Sequence, residues 1–370
     1  MDNSSLNILV LGSLGPNQDR ILSLSRLGHR LIYAYTEFHP NIVRMQSEMI
    51  CIPLPRRNLL PMVRFLIVQY EIQIIYSLMN ALDESTEVTL ELLDGGIDTP
   101  IVRHYKEHPC IPTFEERRVL LETDGQIYIN EQSFQYFRKI YGVHSWSAHI
   151  MDSDMIAECY MLDNFSPKLR LQDGEPHLLV AGGMSMINDR LDMRELCVQM
   201  NRYRVHVHLY GYMVSEDLNF SPIIHHLPTQ RAYERLASSL PYIHIHDYIG
   251  PDQFSAIWSM YDAGFMHSKV DSGNRAAYFE QMNFPYRYTA YLAAGLPLVV
   301  PEEGQDAMAM LVKQHGIGII FSTYETLAEQ LYDSQLITLL TSTVSLTRKN
   351  FSFDRNAGNL VRIFNAYLRQ

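Results

Sequence analysis

An arginine stands where a polar loop runs into a predicted short helix, and its side chain suits the recognition of a phosphate. Residues 283–300 pass from that loop through the alanine- and tyrosine-rich stretch Tyr288–Ala294 to Gly295, and an apolar strand follows. Pro285 suits a first helical turn because it has no N–H group to lose. Free N–H groups and the dipole at a helix start attract anions, and Arg287 adds two forked, charged donors. The segment therefore predicts a phosphate site, with an ordinary helix–strand unit as the alternative.

Glycines follow the first predicted strand in each half of the chain. Gly182 and Gly183 end the strand that opens the second half, and two glycines let a backbone approach a diphosphate or a sugar closely. Gly12 and Gly15 follow the strand predicted over Leu6–Leu11, but they lack the three-glycine spacing of a dinucleotide fingerprint. A tight strand-to-helix turn without a ligand is the alternative at both places.

The densest polar cluster of the first half follows a strand predicted over Asp98–Arg103. Because ligands of parallel sheets bind at the carboxyl ends of the strands, we expect this cluster to project towards a binding crevice. There His104, Glu107 or His108 would act as a general base on an acceptor hydroxyl. Lys106 would hold an anionic group. A solvated loop with incidental charges is the alternative.

Two pairs of histidines alternate along predicted strands of the second half. They are His206 with His208 and His244 with His246, and alternation places each pair on one face of its strand. No third ligand with suitable spacing follows, so we interpret them as core or crevice histidines and predict no metal site. The acidic residues in 152–154 are interpreted as a helix cap.

The composition indicates a two-domain globular protein. The 370 residues suffice for two domains of ordinary size, and a 47% hydrophobic, 19% charged sequence can fill large cores. A net charge of −11 without a long basic run argues against a binder of duplex nucleic acid. Four cysteines far apart predict reduced thiols in a cytoplasmic protein. No apolar run approaches a membrane span, so membrane contact would be peripheral, with the basic-apolar stretch 56–66 as its candidate.

Apolar strands alternate with helical patterns in both halves, which predicts an α/β fold of doubly wound parallel sheets. The strands predicted in the first half are Leu6–Leu11, Leu31–Tyr35, Met49–Pro53, Ile72–Tyr76, Asp98–Arg103 and Gln126–Ile129. Those predicted in the second half are His177–Gly183, Val205–Tyr210, Tyr242–His246, Ala263–Met266, Leu298–Pro301 and Gly318–Phe321. Asn164–Pro176 carries prolines, a glycine and charges, and is the predicted linker between domains 1–165 and 175–350.

The segment 285–297 resembles the nucleotide-sugar loop of the large retaining group of GT-B glycosyltransferases. That group usually reads Pro-x-Lys/Arg-x-x-Glu-Tyr-Leu-Ala-Ala-Gly-x-Pro. The residues that match are Pro285, Arg287, Tyr291, Leu292, Ala293, Ala294, Gly295 and Pro297. The glutamate that usually holds the donor ribose falls on Ala290, and Glu280 would replace it only in a rearranged loop. The resemblance implies the GT-B fold, in which two Rossmann-like domains face a central cleft.

The resemblance also implies an activity and a binding role for each domain. The chain would move a sugar from a nucleotide-sugar to an unknown acceptor, with retention and without a metal or another cofactor. The first domain would bind the acceptor, and a final helix over 354–368 would pack back on it. Its acceptor-side residues would be Gly12, Gly15 and Lys106. The second domain would bind the donor through Gly182, Gly183, Tyr248, Arg275, Glu280 and Arg287.

Two other functions stay open at this point. A GT-B-fold protein without transferase activity, used as a binding or partner subunit, is favoured by the alanine at Ala290. A sugar-nucleotide epimerase shares the fold, although the carboxylate and histidine set of such enzymes is not evident in the second half. Analogy at the level of the fold does not choose among these functions.

Overall fold

A computed structural model of the chain describes residues 5–12, 18–36, 41–55, 58–79, 85–105, 114–152, 155–182, 192–211, 227–247, 249–266 and 281–368. The chain divides into two compact units. The first unit contains the residues up to Ala157 together with those from Phe353 onward, and the second runs from Glu158 to Ser352. Each unit is built on one parallel sheet.

Seven described strands form the sheet of the first unit, in the order β3-β2-β1-β4-β5-β6-β7, and all of them are parallel. The strands are β1 (Asn7–Leu11), β2 (Arg30–Tyr35), β3 (Ile50–Pro53), β4 (Ile74–Met79), β5 (Ile101–Tyr105), β6 (Gly125–Tyr128) and β7 (Ala148–Ile150). The helices are α1 (Gln18–Arg26), α2 (Asn41–Met45), α3 (Leu59–Gln69), α4 (Ser85–Asp94), α5 (Phe114–Glu122) and α6 (Glu131–Tyr141). The strand order reverses between β1 and β4, which is the point where doubly wound sheets bind ligands.

Six described strands form the parallel sheet of the second unit, in the order β10-β9-β8-β11-β12-β13. The strands are β8 (His177–Gly182), β9 (His206–Gly211), β10 (Ile243–Ile245), β11 (Ala263–Phe265), β12 (Leu298–Pro301) and β13 (Gly318–Phe321). The helices are α7 (Arg170–Asp173), α8 (Arg194–Arg202), α9 (Leu227–Ser239), α10 (Pro251–Trp258), α11 (Arg287–Ala293), α12 (Asp306–His315), α13 (Tyr324–Tyr332) and α14 (Ser334–Thr347). Here the order reverses between β8 and β11.

These two sheets confirm the predicted fold class. β7 and α14 are among the described elements that the sequence pattern did not predict. β7 has three residues, too few for a recognisable pattern. α14 is rich in serine and threonine, yet it buries Ile337, Leu340 and Val344. Its start is capped by Asp333, whose carboxylate accepts the N–H groups of two residues in the first turn.

The predicted linker Asn164–Pro176 lies within the second unit, so the boundary falls earlier, between Ala157 and Glu158. The backbone explains the difference. Ser166 N donates to Ser259 Oγ at 3.0 Å, and Leu169 N donates to the carbonyl of Met260 at 2.9 Å. These bonds and α7 attach the proline- and charge-rich run to the second unit, although its composition is typical of a linker.

The last helix, α15 (Phe353–Tyr367), belongs to the first unit. Its buried side chains Phe353, Leu360 and Phe364 join the core formed under β1 and β4. Tyr367 lies over Gly125, where an added Cβ would stand 2.6 Å from its ring. The helix therefore completes the hydrophobic core of the first unit.

The basic-apolar stretch predicted for membrane contact becomes α3 from Leu59 onward. Leu59, Val63 and Leu66 are buried against the first sheet, which accounts for its apolar pattern. In the parts of the chain that the structure describes, no helix combines the length and apolar character needed to cross a bilayer. Peripheral membrane contact stays a prediction.

The hydroxyl of Tyr291 on α11 joins the two strands at which the second sheet reverses. The N–H of Ala181 on β8 donates to this hydroxyl at 2.7 Å, and the hydroxyl donates to the carbonyl of Phe265 on β11 at 3.3 Å. The ring lies on Gly264, where an added Cβ would stand 2.4 Å from Cδ2 of Tyr291. These contacts fix α11 at the carboxyl ends of β8 and β11.

The other end of α11 is held by a buried arginine. Arg348 Nη1 donates to the carbonyl of Ala293 at 2.6 Å, and Nη2 donates to the carbonyl of Leu162. A positive charge at a helix C-terminus satisfies its last carbonyls and complements the dipole. Ser255 Oγ donates to the same carbonyl of Ala293 at 3.0 Å. The helix is thus anchored at both ends.

Removal of the Leu360 side chain is expected to weaken the first unit strongly. Leu360 is 0% exposed, so Leu360→Ala should lower the free energy of unfolding by about 3–5 kcal/mol. Leu346→Ala is the matched control, since Leu346 is 85% exposed and its loss should cost less than about 0.5 kcal/mol. Urea denaturation followed by circular dichroism gives both values. Equal effects of the two substitutions would contradict the placement of α15.

Loss of the Tyr291 hydroxyl is expected to destabilise the second unit. Tyr291→Phe leaves the buried N–H of Ala181 without its acceptor, which should cost about 1–3 kcal/mol. Tyr332→Phe is a matched control, because it removes a hydroxyl that bonds the Arg204 carbonyl from an exposed position. Urea denaturation of both variants compares the two hydroxyls. If Tyr291→Phe lowers the free energy of unfolding no more than Tyr332→Phe does, the hydroxyl of Tyr291 does not anchor α11.

Candidate functional site

The guanidinium of Arg287 lies directly against the backbone of Gly182. An added Cβ at Gly182 would stand 3.1 Å from Nη2 and 3.2 Å from Cζ of Arg287. Gly182 also has a φ of 109°, a conformation that favours glycine. The structure therefore brings together two residues that the sequence analysis proposed separately, at the carboxyl end of β8 beside the reversal of strand order.

Arg287 also influences the residue that anchors its helix. Burial raises the pKa of Tyr291 to about 12, while the positive charge of Arg287 acts in the opposite direction. The hydroxyl of Tyr291 therefore stays protonated at neutral pH and can donate to the carbonyl of Phe265. A fixed helix and a fixed glycine turn give the guanidinium a defined position.

The start of α11 differs from the sequence-based expectation of several free N–H groups. Tyr288 N donates to the carbonyl of Pro285 at 3.0 Å, and Thr289 N donates to the carbonyl of Tyr286 at 3.1 Å. These bonds form because the loop enters the helix through a tight turn. With those two donors already used, the attraction for an anion rests mainly on the side chain of Arg287.

Ala290, which replaces the usual glutamate, is enclosed in the second unit. It is 1% exposed, so its methyl group packs among other side chains of the protein. A carboxylate at this position would lose its hydration and would need a hydrogen-bonding partner. Glu280, the suggested substitute for that glutamate, lies outside the described residues.

His104 is a buried residue of β5, not a residue of the loop that follows it. Nε2 donates to the carbonyl of Met151 at 3.0 Å, whereas Nδ1 accepts from Arg20 Nη1 at 2.8 Å and from the hydroxyl of Tyr76 at 2.6 Å. The ring has 0% exposure. Burial, with a further effect of the Arg20 charge, holds the pKa of His104 well below its usual value.

This arrangement corrects the assignment of His104 as a general base. The strand was predicted to end at Arg103, but β5 continues to Tyr105, so the side chain of His104 points to a face of the sheet. That face is covered by α1, which carries Arg20. Because both ring nitrogens are already bonded, His104 positions Arg20 and Tyr76 and has no nitrogen available to take up a proton.

Gly12 directly follows β1, beside the reversal of strand order in the first unit. Its φ is 102°, and its carbonyl accepts a hydrogen bond from the hydroxyl of Tyr33 at 3.0 Å. The glycine is therefore positioned where a backbone can approach a ligand closely. The other proposed site residues lie outside the described residues: Gly15, Lys106, Glu107, His108, Gly183, Tyr248, Arg275 and Glu280.

Sequence reasoning did not identify Arg20, Tyr76 or Arg348 as supports of a site. Arg20 and Tyr76 meet His104 from different elements, and Arg348 reaches α11 from a turn that follows α14. Each is an ordinary arginine or tyrosine within an amphipathic pattern or a strand. No local signal distinguishes such residues, because their partners are distant in sequence.

Part of the second unit matches a known domain family. The family model described as "glucosyltransferase 3-like, C-terminal domain" matches residues 199–342. That segment includes α11 and therefore Arg287 and Tyr291. No curated protein matches the chain at a significant level.

Solved glycosyltransferase structures resemble the whole chain. A glycosyltransferase from Rickettsia africae is 14% identical, and the match, with a TM-score of 0.74, covers 99% of this chain and 100% of the glycosyltransferase chain. HepE from Anabaena, in complex with UDP, is 14% identical over 98% of this chain and 100% of its own, with a TM-score of 0.71. Sucrose-phosphate synthase from Thermosynechococcus elongatus is 14% identical. The match covers 99% of this chain and 100% of the synthase chain, also with a TM-score of 0.71. The chain therefore has the GT-B fold of glycosyltransferases, and its second unit carries a glucosyltransferase-like segment.

Proposed function

We propose that the protein is a glycosyltransferase that moves a sugar from a nucleotide-sugar to an acceptor. The observation that carries this proposal is the contact between Arg287 and Gly182 at the reversal point of the second sheet. A guanidinium beside a glycine backbone offers charged donors at a place where the backbone carries no side chain of its own. The resemblance of segment 285–297 to the nucleotide-sugar loop supports the same role.

The proposed chemistry uses the positive charge of Arg287. When the glycosidic bond to the donor breaks, negative charge grows on the departing diphosphate, and a fixed guanidinium stabilises that charge. Tyr291 and Arg348 hold α11 in place, so little reorganisation is needed at that moment. We propose a metal-independent reaction with retention of configuration, as the resemblance to the retaining group implies.

A uridine nucleotide is the donor class that we propose. Structures of HepE contain UDP and UDP-glucose, and HepE shares the fold over nearly the whole chain. In this proposal Gly183, Tyr248 and Arg275 complete the donor site. Glu280 would take the place of the acid that is absent at Ala290.

The acceptor side of the proposal rests on the first unit. Gly12 lies at the end of β1, and Gly15 and Lys106 would join it around the acceptor. With His104 bonded at both nitrogens, a general base would be Glu107 or His108. A cytoplasmic location remains the prediction made from the four separate cysteines.

A non-catalytic binding subunit is the second candidate, and Ala290 is the observation that favours it. The enclosed methyl group of Ala290 offers no acceptor for the ribose hydroxyls. A binding subunit of this kind would bind UDP or a UDP-sugar without releasing free sugar or transferring it. Incubation with radiolabelled UDP-glucose, followed by separation of the products, distinguishes turnover from binding alone.

Arg287→Ala is expected to weaken the binding of UDP. Loss of a charged hydrogen bond typically costs about 1.5–3 kcal/mol, which is roughly tenfold to a hundredfold in Kd. Gly182→Ala should act in the same direction, since its Cβ would stand 3.1 Å from Nη2 of Arg287. Isothermal titration calorimetry with UDP measures both effects.

Arg235→Ala is the matched control for this experiment. Arg235 is an exposed arginine of α9 in the same unit, and its Nε donates to the carbonyl of Arg231, one turn earlier. Its replacement should leave the Kd for UDP within about twofold of the wild-type value. Unchanged affinity of a folded Arg287→Ala variant would remove Arg287 from the donor site.

His104→Ala is expected to destabilise the protein without weakening UDP binding. The substitution removes the buried imidazole that hydrogen-bonds Arg20, Tyr76 and the carbonyl of Met151, at a cost of about 1–3 kcal/mol in the free energy of unfolding. His144→Ala removes an exposed histidine of the same unit and is the control. Urea denaturation gives the stabilities. A variant of wild-type stability that has lost turnover would restore His104 as a candidate base.

A further inference from the structure

Five histidines stack on one face of the second sheet, and we call them the histidine ladder. They are His177 of β8, His206 and His208 of β9, His244 of β10, and His246, which directly follows β10. The rings of His177 and His206 have centroids 4.4 Å apart, and those of His208 and His244 have centroids 4.6 Å apart. The alternating spacing identified four of these residues but not His177, because the strand register that pairs it with His206 is not visible in the sequence.

Hydrogen bonds join three of these rings into a chain that ends on the carboxylate of Asp173. Asp173 Oδ2 lies 3.0 Å from His177 Nε2. His177 Nδ1 lies 2.9 Å from His208 Nε2, and His208 Nδ1 lies 2.9 Å from His246 Nε2. A carboxylate only accepts, and a neutral imidazole has one donor and one acceptor nitrogen. Every ring of this chain is therefore a neutral Nε2–H tautomer that donates towards Asp173.

The other two rings form a second chain, which ends on the carboxylate of Glu175. Glu175 Oε2 lies 3.0 Å from His206 Nε2, and His206 Nδ1 lies 2.8 Å from His244 Nε2. Because the carboxylate again only accepts, both rings are neutral Nε2–H tautomers. In each chain, one bond between two imidazoles links β9 to β10 or to the residue that follows it.

β10 is short and lies at the edge of the described sheet. It has three residues, and among the described strands it pairs with β9 alone. Val207 N donates to the carbonyl of Tyr242 at 2.8 Å, and His246 N donates to the carbonyl of Leu209 at 2.9 Å. The imidazoles of His244 and His246 add two side-chain bonds to the same pair of strands. The neutral histidine ladder therefore helps to hold β10 against β9.

We propose that the histidine ladder is a pH-sensitive clamp, which holds β10 on β9 at neutral pH and releases it in acid. A second proton on His206 or His208 would occupy Nδ1, the nitrogen that accepts the bond from His244 or His246. Two N–H groups would then face each other, and the bond between the strands would be lost. Charged rings whose centroids lie between 4.4 and 5.1 Å apart would also repel one another.

Burial opposes protonation of the ladder in the folded protein. It lowers the pKa of His177 and of His246. It also lowers the pKa of His208 well below its usual value and that of His244 to about 4, and charge on neighbouring imidazoles acts in the same direction. A histidine of the unfolded chain has a pKa of about 6.5, so the unfolded chain binds more protons below that pH. The stability that the ladder contributes is therefore fully present above about pH 6.5 and is lost as the pH falls towards 4.

The charges around the ladder leave its inner rings to respond to acid. The carboxylates of Asp173 and Glu175 each bond an outer ring and are one ring removed from His208 and His244. Asp247 is exposed, so water screens its charge. We therefore expect the response to come mainly from His208 and His244. Among the described residues, the titratable or charged groups that face the ladder are Arg170, Asp173, Glu175, Arg204, Tyr210, Tyr242, Asp247, Tyr261 and Asp262.

Hydrogen–deuterium exchange of the wild-type protein at pH 7.5 and at pH 5.5 tests the release directly. After correction for the intrinsic pH dependence of exchange, peptides that cover residues 242–247 should exchange at least about tenfold faster at the lower pH. Peptides from β12, a central strand of the same sheet, are the internal control and should change much less. Equal protection of residues 242–247 at both pH values would overturn the proposal.

The double variant His208→Gln/His244→Gln tests whether the ladder is the source of the pH dependence. Glutamine keeps a donor and an acceptor but takes up no proton. Each proton changes the unfolding constant about tenfold per pH unit, so the variant's constant should depend on pH about a hundredfold less per unit near pH 5.5. Urea denaturation between pH 7.5 and 5 measures this difference.

His144→Ala is the matched control, because His144 is an exposed histidine outside the ladder, and it should keep the wild-type pH dependence. A folded double variant with the wild-type pH dependence would overturn the proposal. If the double variant does not fold, the exchange experiment still decides, since it uses the wild-type chain.

Discussion

The hydrogen bonds of the Tyr291 hydroxyl are the contacts on which the candidate site depends. β8 and β11 pair near their starts and then leave the N–H of Ala181 and the carbonyl of Phe265 to a side chain. Tyr291 reaches both groups only because Gly264 has no Cβ in its way. The helix that carries Tyr291 then sets Arg287 on Gly182. The position of the proposed phosphate-binding cation therefore follows from the reversal of strand order in the sheet.

The sequence predicts the layers of the fold because buried parallel strands are continuous apolar runs, and the runs at Leu298–Pro301 and Gly318–Phe321 match the observed strands residue for residue. Chain pattern also identifies Arg287 and Gly182, since each stands at the end of a predicted element. The role of Tyr291 does not follow from pattern, because Ala181 is 110 residues distant and Gly264 also lies far along the chain. Contacts of this kind depend on how strands are ordered in the sheet, which local pattern does not encode.

The histidines of both units also make contacts that local sequence pattern does not predict. A two-residue shift in the end of β5 moves His104 from a loop to a buried face, which changes its role from proton transfer to the positioning of Arg20 and Tyr76. In the second unit, the register of β8 and β9 brings His177 beside His206. Neither result depends on the residue type alone. Both depend on a strand boundary or a strand register, which are the least accessible features of a single sequence.

A crystal structure of the protein soaked with UDP tests the central claim most directly. The account predicts a diphosphate beside the backbone of Gly182, with a phosphate oxygen about 2.7–2.9 Å from a guanidinium nitrogen of Arg287. It also predicts that Tyr291 keeps its bonds to Ala181 and Phe265 in the complex. A diphosphate bound elsewhere, with Arg287 still resting on an unoccupied Gly182 turn, would contradict the account.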